Sequence, residues 1–341
     1  MQKNRQVVLA SYASDAARVE NFAMTESPIP QPGEGEFLIR NMYFSLEPAI
    51  RGWLDGKANY FPPIPIGGVI RGPSVGRVVA SKNADFAPGD IVFALNHWED
   101  YSICHSDAVL LEKLQPHGDT PISYYVGALG GAGATAYVGL HEIGKIQSGQ
   151  TVVVSAAAGA TGSMAGQIAK QRGCTVIGIV GSDEKAKLIV EQFGFDAAIN
   201  YKTDDIAAAV LAIAPEGADI YFDNVGGPVL NAMLVAMKVY GRIVGCGMIS
   251  DYNRTENPNP ITNLWEVVAR QLTMQGFLLF SYHDQVPAAQ AQLTEWINQG
   301  KIKVIEHITK GIANTPAAFC ELMSGKTTGK ALVEVDLIEL T

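Results

Sequence analysis

The chain has 341 residues, of which 48% are apolar and 17% charged, with a formal net charge of −9. The low charged fraction, against roughly 25% in an ordinary globular domain, together with so much apolar side chain excludes a disordered chain. The acidic balance excludes binding of nucleic acid through bulk charge, which needs a Lys/Arg surplus to neutralise phosphates.

At about 150 residues per domain the length predicts two domains, each able to bury a core. The first twenty residues hold no apolar run of signal-peptide length, so a mature cytoplasmic chain is expected. Residues 1–120 read as β-rich, with strands over 37–42 and 74–80, and a Pro88-Gly89-Asp90 turn feeding a strand over 91–94. Near residue 128 the pattern changes to strands alternating with helices. Residues 151–156 form a β-branched run suited to a parallel strand buried on both faces. A helix over 163–172 stops at Gly173, a strand over 175–180 follows, and a helix over 183–193 stops at Gly194. A strand over 219–222, a helix over 229–238 and a strand over 241–246 continue the alternation. Residues 276–280 read as an apolar strand at a sheet edge, and strands return over 301–308 and 330–335. The uncharged stretches 121–140 and 151–169 are too rich in glycine and turns to span a membrane. The expected fold is α/β. A β-rich domain of residues 1–128, completed by 301–341, carries an inserted doubly wound parallel-sheet domain of residues 129–300.

The strongest local signal is TVVVSAAAGATG over residues 151–162, a buried strand running through AxxGxxG into a helix. This is the dinucleotide fingerprint with its first glycine replaced by Ala156. Gly159 lets the backbone approach a pyrophosphate, Gly162 lets the helix pack against the strand, and the helix-start amides of Ala160 and Thr161 face the phosphate charge. The plainer reading is a purely structural βα turn. The next strand ends at Gly181-Ser182 with no carboxylate at its tip, where an enzyme using NAD places one for the ribose 2′-hydroxyl. Lys185 can meet a 2′-phosphate instead, while Asp183 and Glu184 suit a first helical turn. NADP(H) is therefore favoured, against the alternative that Lys185 is a solvated helix lysine.

Cys104, Cys174, Cys246 and Cys320 are about seventy residues apart, with no CxxC, and read as reduced thiols. His97, His105, His117, His141, His283 and His307 show no HxxxH or HExxH spacing, and no GxSxG elbow appears. What remains is a nicotinamide enzyme without a metal. Reduction of a polarised C=C asks little more of it than a donor to the carbonyl oxygen and a proton source.

Several segments carry a specific resemblance: SLEPAIRG (45–52), GATAYVGL (133–140), AAAGATGS (156–163), GSDEK (181–185), GFDAAINYK (194–202), YFDNVGG (221–227), GRIVGCGMISDYN (241–253) and GKTTGK (325–330). Through nearly its whole length the chain resembles the zinc-independent medium-chain dehydrogenase/reductases, and within them the leukotriene hydroxydehydrogenase/prostaglandin reductase branch with its alkenal and curcumin reductases. The resemblance implies a GroES-like β domain, a Rossmann insert, an active site in the cleft between them, and a homodimer. It implies NADPH held by the Gly159–Gly162 turn, with Lys185 and Tyr201 on the 2′-phosphate. Asn224, Cys246, Gly247, Ile249, Tyr252, Phe277, Leu279, Thr327 and, near the nicotinamide, Thr135 would lie along the cofactor. Where zinc-bearing relatives carry a GHE-type motif this chain reads Ile66-Gly67-Gly68-Val69, so no zinc is expected. A pocket tyrosine of plant members is replaced by Ala49, a tyrosine of the prostaglandin reductases by Phe280, and an asparagine by Thr327. Tyr60 and Tyr252 are the remaining candidates to polarise a substrate carbonyl, with aromatic wall residues as the alternative reading. The expected reaction is NADPH-dependent reduction of α,β-unsaturated aldehydes or ketones. Quinone reduction and a non-catalytic NADPH-binding protein are the alternatives.

Overall fold

The computed structural model describes residues 3–116, 118–254 and 256–335; His117 lies outside them. The chain divides into two compact units, residues 1–127 with 306–341, and residues 128–305.

The first unit is built on a seven-stranded sheet. Its order is Glu306–Lys310, Lys330–Glu334, Glu36–Ser45, Arg71–Ser81, Ile91–His97, Glu112–Lys113, with Tyr101–His105 also paired to Glu36–Ser45. The C-terminal segment is integral to this sheet: Leu332 stands opposite Ser45, and Glu306 lies beside Lys330 in parallel register. A separate antiparallel pair, Lys3–Leu9 with Phe22–Pro28, packs on a core centred on the fully buried Trp98, whose ring meets Phe22 at 6.0 Å and Phe319 at 5.7 Å. In the turn Pro48–Trp53 the buried Arg51 donates to the carbonyls of Ala13 and Asp15, which pins that turn to the N-terminal segment. The strand expected over 301–308 starts only at Glu306. Residues 301 and 302 instead donate to the carbonyl of Trp296, closing the preceding helix, and Lys303 donates to Gln167.

The second unit is a six-stranded parallel sheet of Thr151–Ser155, Thr175–Val180, Ala197–Asn200, Ala218–Asp223, Met237–Gly245 and Thr273–Gly276. Counted within the unit, its order is 3-2-1-4-5-6, the doubly wound dinucleotide-binding arrangement. Val152, Val153 and Val154 are all fully buried, which explains the unbroken apolar run of the first strand. The helix after it spans Ala160–Gln171, starting earlier than expected because the extended Gly159 is its N-cap and Ser163 already donates back to Gly159. The next helix, Asp183–Phe193, is capped by Ser182 and ends on Gly194 in the left-handed conformation, as its sequence predicts. The helix expected over 229–238 is Gly227–Ala236, since Met237 already pairs with Ala218, and the strand that follows carries an irregularity near Tyr240. The edge strand expected over 276–280 is Thr273–Gly276. Its pairing ends at Gly276 opposite Gly245, and Phe277 turns in against Gly139.

Candidate functional site

In a parallel sheet of this order every strand delivers its carboxyl end to the same edge, and the loops leaving that edge hold the ligand. The first loop is the tightest. Ala156 is held at φ 49° and Ala157 donates to the carbonyl of Ile179, so the chain turns sharply out of the strand. A β-carbon on Gly162 would stand 2.9 Å from the carbonyl carbon of Ala156 and nearer still to its oxygen; the helix reaches the strand only because residue 162 has no side chain. No side chain caps this helix. The amides of Ala160, Thr161 and Gly162 precede its first internal hydrogen bond and present a set of donors with the positive end of the helix dipole behind them.

At the end of the second strand the two acids that could have opposed a phosphate are engaged locally. Asp183 accepts from the side-chain amide of Asn200 at 2.7 Å, and Glu184 is hydrogen-bonded by Ser182, which holds its carboxyl below the ordinary value. The Lys185 ammonium is pushed below its ordinary value, first by burial and then by repulsion from Lys202. The charge of a second cation, Lys202, is thus felt at this strand end. Lys202 was not singled out from the sequence, although it sits in the same NYK segment as Tyr201; its approach to Lys185 is a product of the fold. The half-exposed Tyr201 lies over Gly181, where a β-carbon would stand 2.9 Å from its ring.

The fourth and fifth strand ends are knitted together. Buried Asp223 accepts from the Tyr221 hydroxyl at 2.7 Å and from the amides of Val225 and Gly226 at 2.9 Å, while burial pushes its carboxyl up against those bonds. Asn224 donates to the carbonyl of Ser155 at 2.7 Å, which ties it to the end of the first strand. The amides of Cys246 and Gly247 donate to the carbonyl of Asp223, and that of Ile249 to Asn224. The Tyr252 hydroxyl accepts from the Met248 amide at 3.3 Å; burial raises it above the ordinary tyrosine value and keeps its proton in place. At the sixth strand Phe277 meets Tyr282 edge to face at 6.3 Å, Leu279 opens the turn Leu279–Gln285, and Phe280 is 37% exposed. Thr135 is half-buried on the helix Gly131–Val138, which packs on Ala160–Gln171.

One sheet edge therefore gathers Gly159 to Gly162, Lys185, Tyr201, Asn224, Cys246, Gly247, Ile249, Tyr252, Phe277, Leu279 and Phe280. Thr135, on the helix Gly131–Val138, belongs to the same unit, and the remaining candidates belong to the first. Ala49 is half-buried in the turn Pro48–Trp53. Tyr60 is 48% exposed and packs edge to face on Trp53 and Phe61, and these two rings in turn flank the Arg71 guanidinium at 5.0 and 5.2 Å. Thr327 is buried just ahead of Lys330–Glu334.

Residues 5–111 match a family model described as the N-terminal domain of oxidoreductase, and residues 160–296 one described as zinc-binding dehydrogenase. The chain is 39% identical to the NADPH-dependent curcumin reductase of Escherichia coli, over 98% of this chain and 97% of the relative. It is also 39% identical to the NADP(+)-dependent 2-alkenal reductase of Nicotiana tabacum, over 97% of both. Among solved structures, CurA of Vibrio vulnificus in complex with NADPH superposes with a TM-score of 0.91 at 40% identity, over 97% of this chain and 99% of that one. Among the described residues no group of three or more His, Cys, Asp or Glu is placed to hold a metal ion, and burial pushes the Cys104 thiol up to about 11.

Proposed function

The chain belongs to the medium-chain dehydrogenase/reductases, and from that premise we propose that it is an NADPH-dependent reductase of the C=C bond of α,β-unsaturated aldehydes and ketones. The observation that carries the reading is the single sheet edge on which an uncapped helix start, the Lys185 helix start and the Asn224 and Cys246 loops meet. The two curated relatives above act on curcumin and 2-alkenals with NADP as cofactor. The Gly162 cradle and the Lys185/Lys202 pair fit a dinucleotide with a 2′-phosphate.

In this reading the amides of residues 160–162 hold the pyrophosphate, and Lys185, Lys202 and Tyr201 hold the 2′-phosphate. Thr135, Asn224, Cys246, Gly247, Ile249, Tyr252, Phe277 and Leu279 line the remaining length of the cofactor. Bound NADPH supplies the hydride, which is delivered to the β-carbon of the acceptor. The hydroxyl of Tyr252 or Tyr60 donates to the carbonyl oxygen as enolate charge develops, and the α-carbon takes its proton from solvent. Neither Ala49 nor Phe280 offers the acceptor a hydroxyl, which suits an apolar conjugated chain. No residue is asked to remove a proton from an alcohol.

The proposal extends to a cytoplasmic homodimer. Its support is the exposed edge strand Thr273–Gly276 together with Trp265, Tyr240 and Val268, which are 70%, 69% and 62% exposed. Cys104, Cys174, Cys246 and Cys320 are not joined in disulfides, which accords with a reducing compartment. The test is NADPH consumption across a panel of enals, enones and quinones. Turnover of enals and enones to saturated carbonyls is expected. Preference for quinones establishes the quinone reductase alternative, and NADPH binding without turnover of any acceptor the non-catalytic one.

A further inference from the structure

Lys330 is the first residue of an inner strand, and its side chain is 4% exposed. Its ammonium donates to Glu47 Oε1 at 2.7 Å and lies 3.3 Å from the carbonyl oxygen of Leu46. The same Glu47 oxygen accepts from the Ser45 hydroxyl at 2.5 Å, and the amide of Leu46 donates to Ala331. Leu46 and Glu47 lead directly into the turn Pro48–Trp53, which carries Ala49.

On its other side Lys330 meets both points at which the chain passes between the two units. The crossings fall after Gly127 and before Glu306. A β-carbon on Gly127 would stand 3.0 Å from Lys330 Cγ. Glu306 is the parallel-register neighbour of Lys330; it accepts from the Ser123 hydroxyl at 2.9 Å through one oxygen, and its other oxygen is buried with no hydrogen-bond partner.

The Lys330 ammonium is buried while its partner Glu47 keeps 29% of its side chain exposed. Withdrawing an ammonium from water is costly, and well-packed apolar residues of similar volume commonly hold a sheet at least as well, so the pair is weak evidence for a stabilising role, whereas it fixes direction and register. We propose that Lys330 is a positioning residue for acceptor reduction: it ties the Ala49 turn, through Leu46 and Glu47, to the Gly127 and Glu306 ends of the two crossings. The proposal rests on the enone reductase reading for its kinetic consequence but not for its structural one.

The test compares Lys330→Met, Lys330→Arg and Glu47→Gln with the full-length protein. It follows acceptor kcat and KM, NADPH affinity by fluorescence, and amide hydrogen exchange over residues 46–54. For Lys330→Met and Glu47→Gln a tenfold or greater fall in acceptor kcat/KM is expected, with NADPH affinity within twofold and faster exchange at 46–54. Lys330→Arg, which restores the cation, is expected to recover to within about threefold of the parent. Glu47→Gln keeps an acceptor at the same place and covers the case in which Lys330→Met fails to fold. Acceptor kinetics within twofold of the parent, or NADPH affinity falling in step with kcat/KM, overturns the proposal, as does unchanged exchange at 46–54. A parent protein inactive on every enone overturns the reductase reading instead, while the exchange data still decide the anchoring.

Discussion

The carbonyl of Ala156 and the α-carbon of Gly162 are in direct apposition: a β-carbon on residue 162 would lie 2.9 Å from the Ala156 carbonyl carbon. The two positions differ in kind. Ala156 carries a side chain in the left-handed region, at φ 49°, a conformation that costs an L-residue about 1–2 kcal/mol. Gly162 has no room for one at all. Gly162→Ala is therefore expected to displace the helix start and weaken NADPH binding at least about tenfold, with a stability loss of about 1–3 kcal/mol. In Ala156→Gly the relief of strain is offset by greater unfolded-chain entropy. It is expected to keep affinity and to change stability by no more than about 1 kcal/mol. Fluorescence titration and urea unfolding of both variants check this.

Lys185 and Lys202 repel one another across the end of the second strand. A 2′-phosphate held by Lys185 would relieve that repulsion, so Lys185→Gln should weaken NADPH binding by about 10- to 100-fold, the range of one charge-assisted hydrogen bond. NADH affinity should change less than threefold. Titration of both cofactors against both proteins measures the difference, and an equal loss for NADH would remove the 2′-phosphate assignment.

Asp223 Oδ1 collects the Tyr221 hydroxyl and the amides of Val225 and Gly226, so it organises the loop that carries Asn224. Asp223→Ala leaves those buried donors without an acceptor, at about 1–3 kcal/mol each. Asp223→Asn keeps a carbonyl oxygen in the same place. Denaturant unfolding is expected to show the alanine variant destabilised at least twice as much as the asparagine variant.

Burial pushes the Glu306 carboxyl above its ordinary value, with the Ser123 hydrogen bond and Lys330 opposing. A raised carboxyl binds its proton more tightly in the folded chain. The resulting stability is present in full below the ordinary carboxylate range and is lost as pH rises through the folded value. Glu306→Gln mimics the protonated form, so it should be more stable than the parent at pH 8 and lose that advantage towards pH 4. Thermal unfolding of both proteins across this range reads the crossing.

Trp265 and Tyr240 are large apolar side chains 70% and 69% exposed in the unit that carries the edge strand Thr273–Gly276. Trp265→Glu is expected to convert a dimer into a monomer in sedimentation velocity while leaving NADPH affinity within twofold. A parent protein that sediments as a monomer contradicts the dimer.

Much of this was legible in the residues. The run 151–154, the glycines at 159 and 162 and the stop at Gly194 each report a local constraint, namely burial on both faces, close backbone approach and left-handed φ. Strand 197–200, helix 206–213 and strand 273–276 were not resolved as elements, since short segments take their structure from the sheet they join. Asp223 and Lys202 drew no attention because their partners, Tyr221 apart, lie on other segments or loops formed only in the fold. The same holds for Lys330, whose significance depends on a register with Glu306 and a contact with Glu47 that no spacing announces.

The central claim is delivery of a hydride to the β-carbon of an enone. Turnover of an aryl enone with NADPH deuterated at the transferred position of C4, followed by NMR of the product, tests it directly. Deuterium at the β-carbon of a saturated ketone is predicted. Deuterium at the carbonyl carbon of an allylic alcohol, or no product at all, would contradict it.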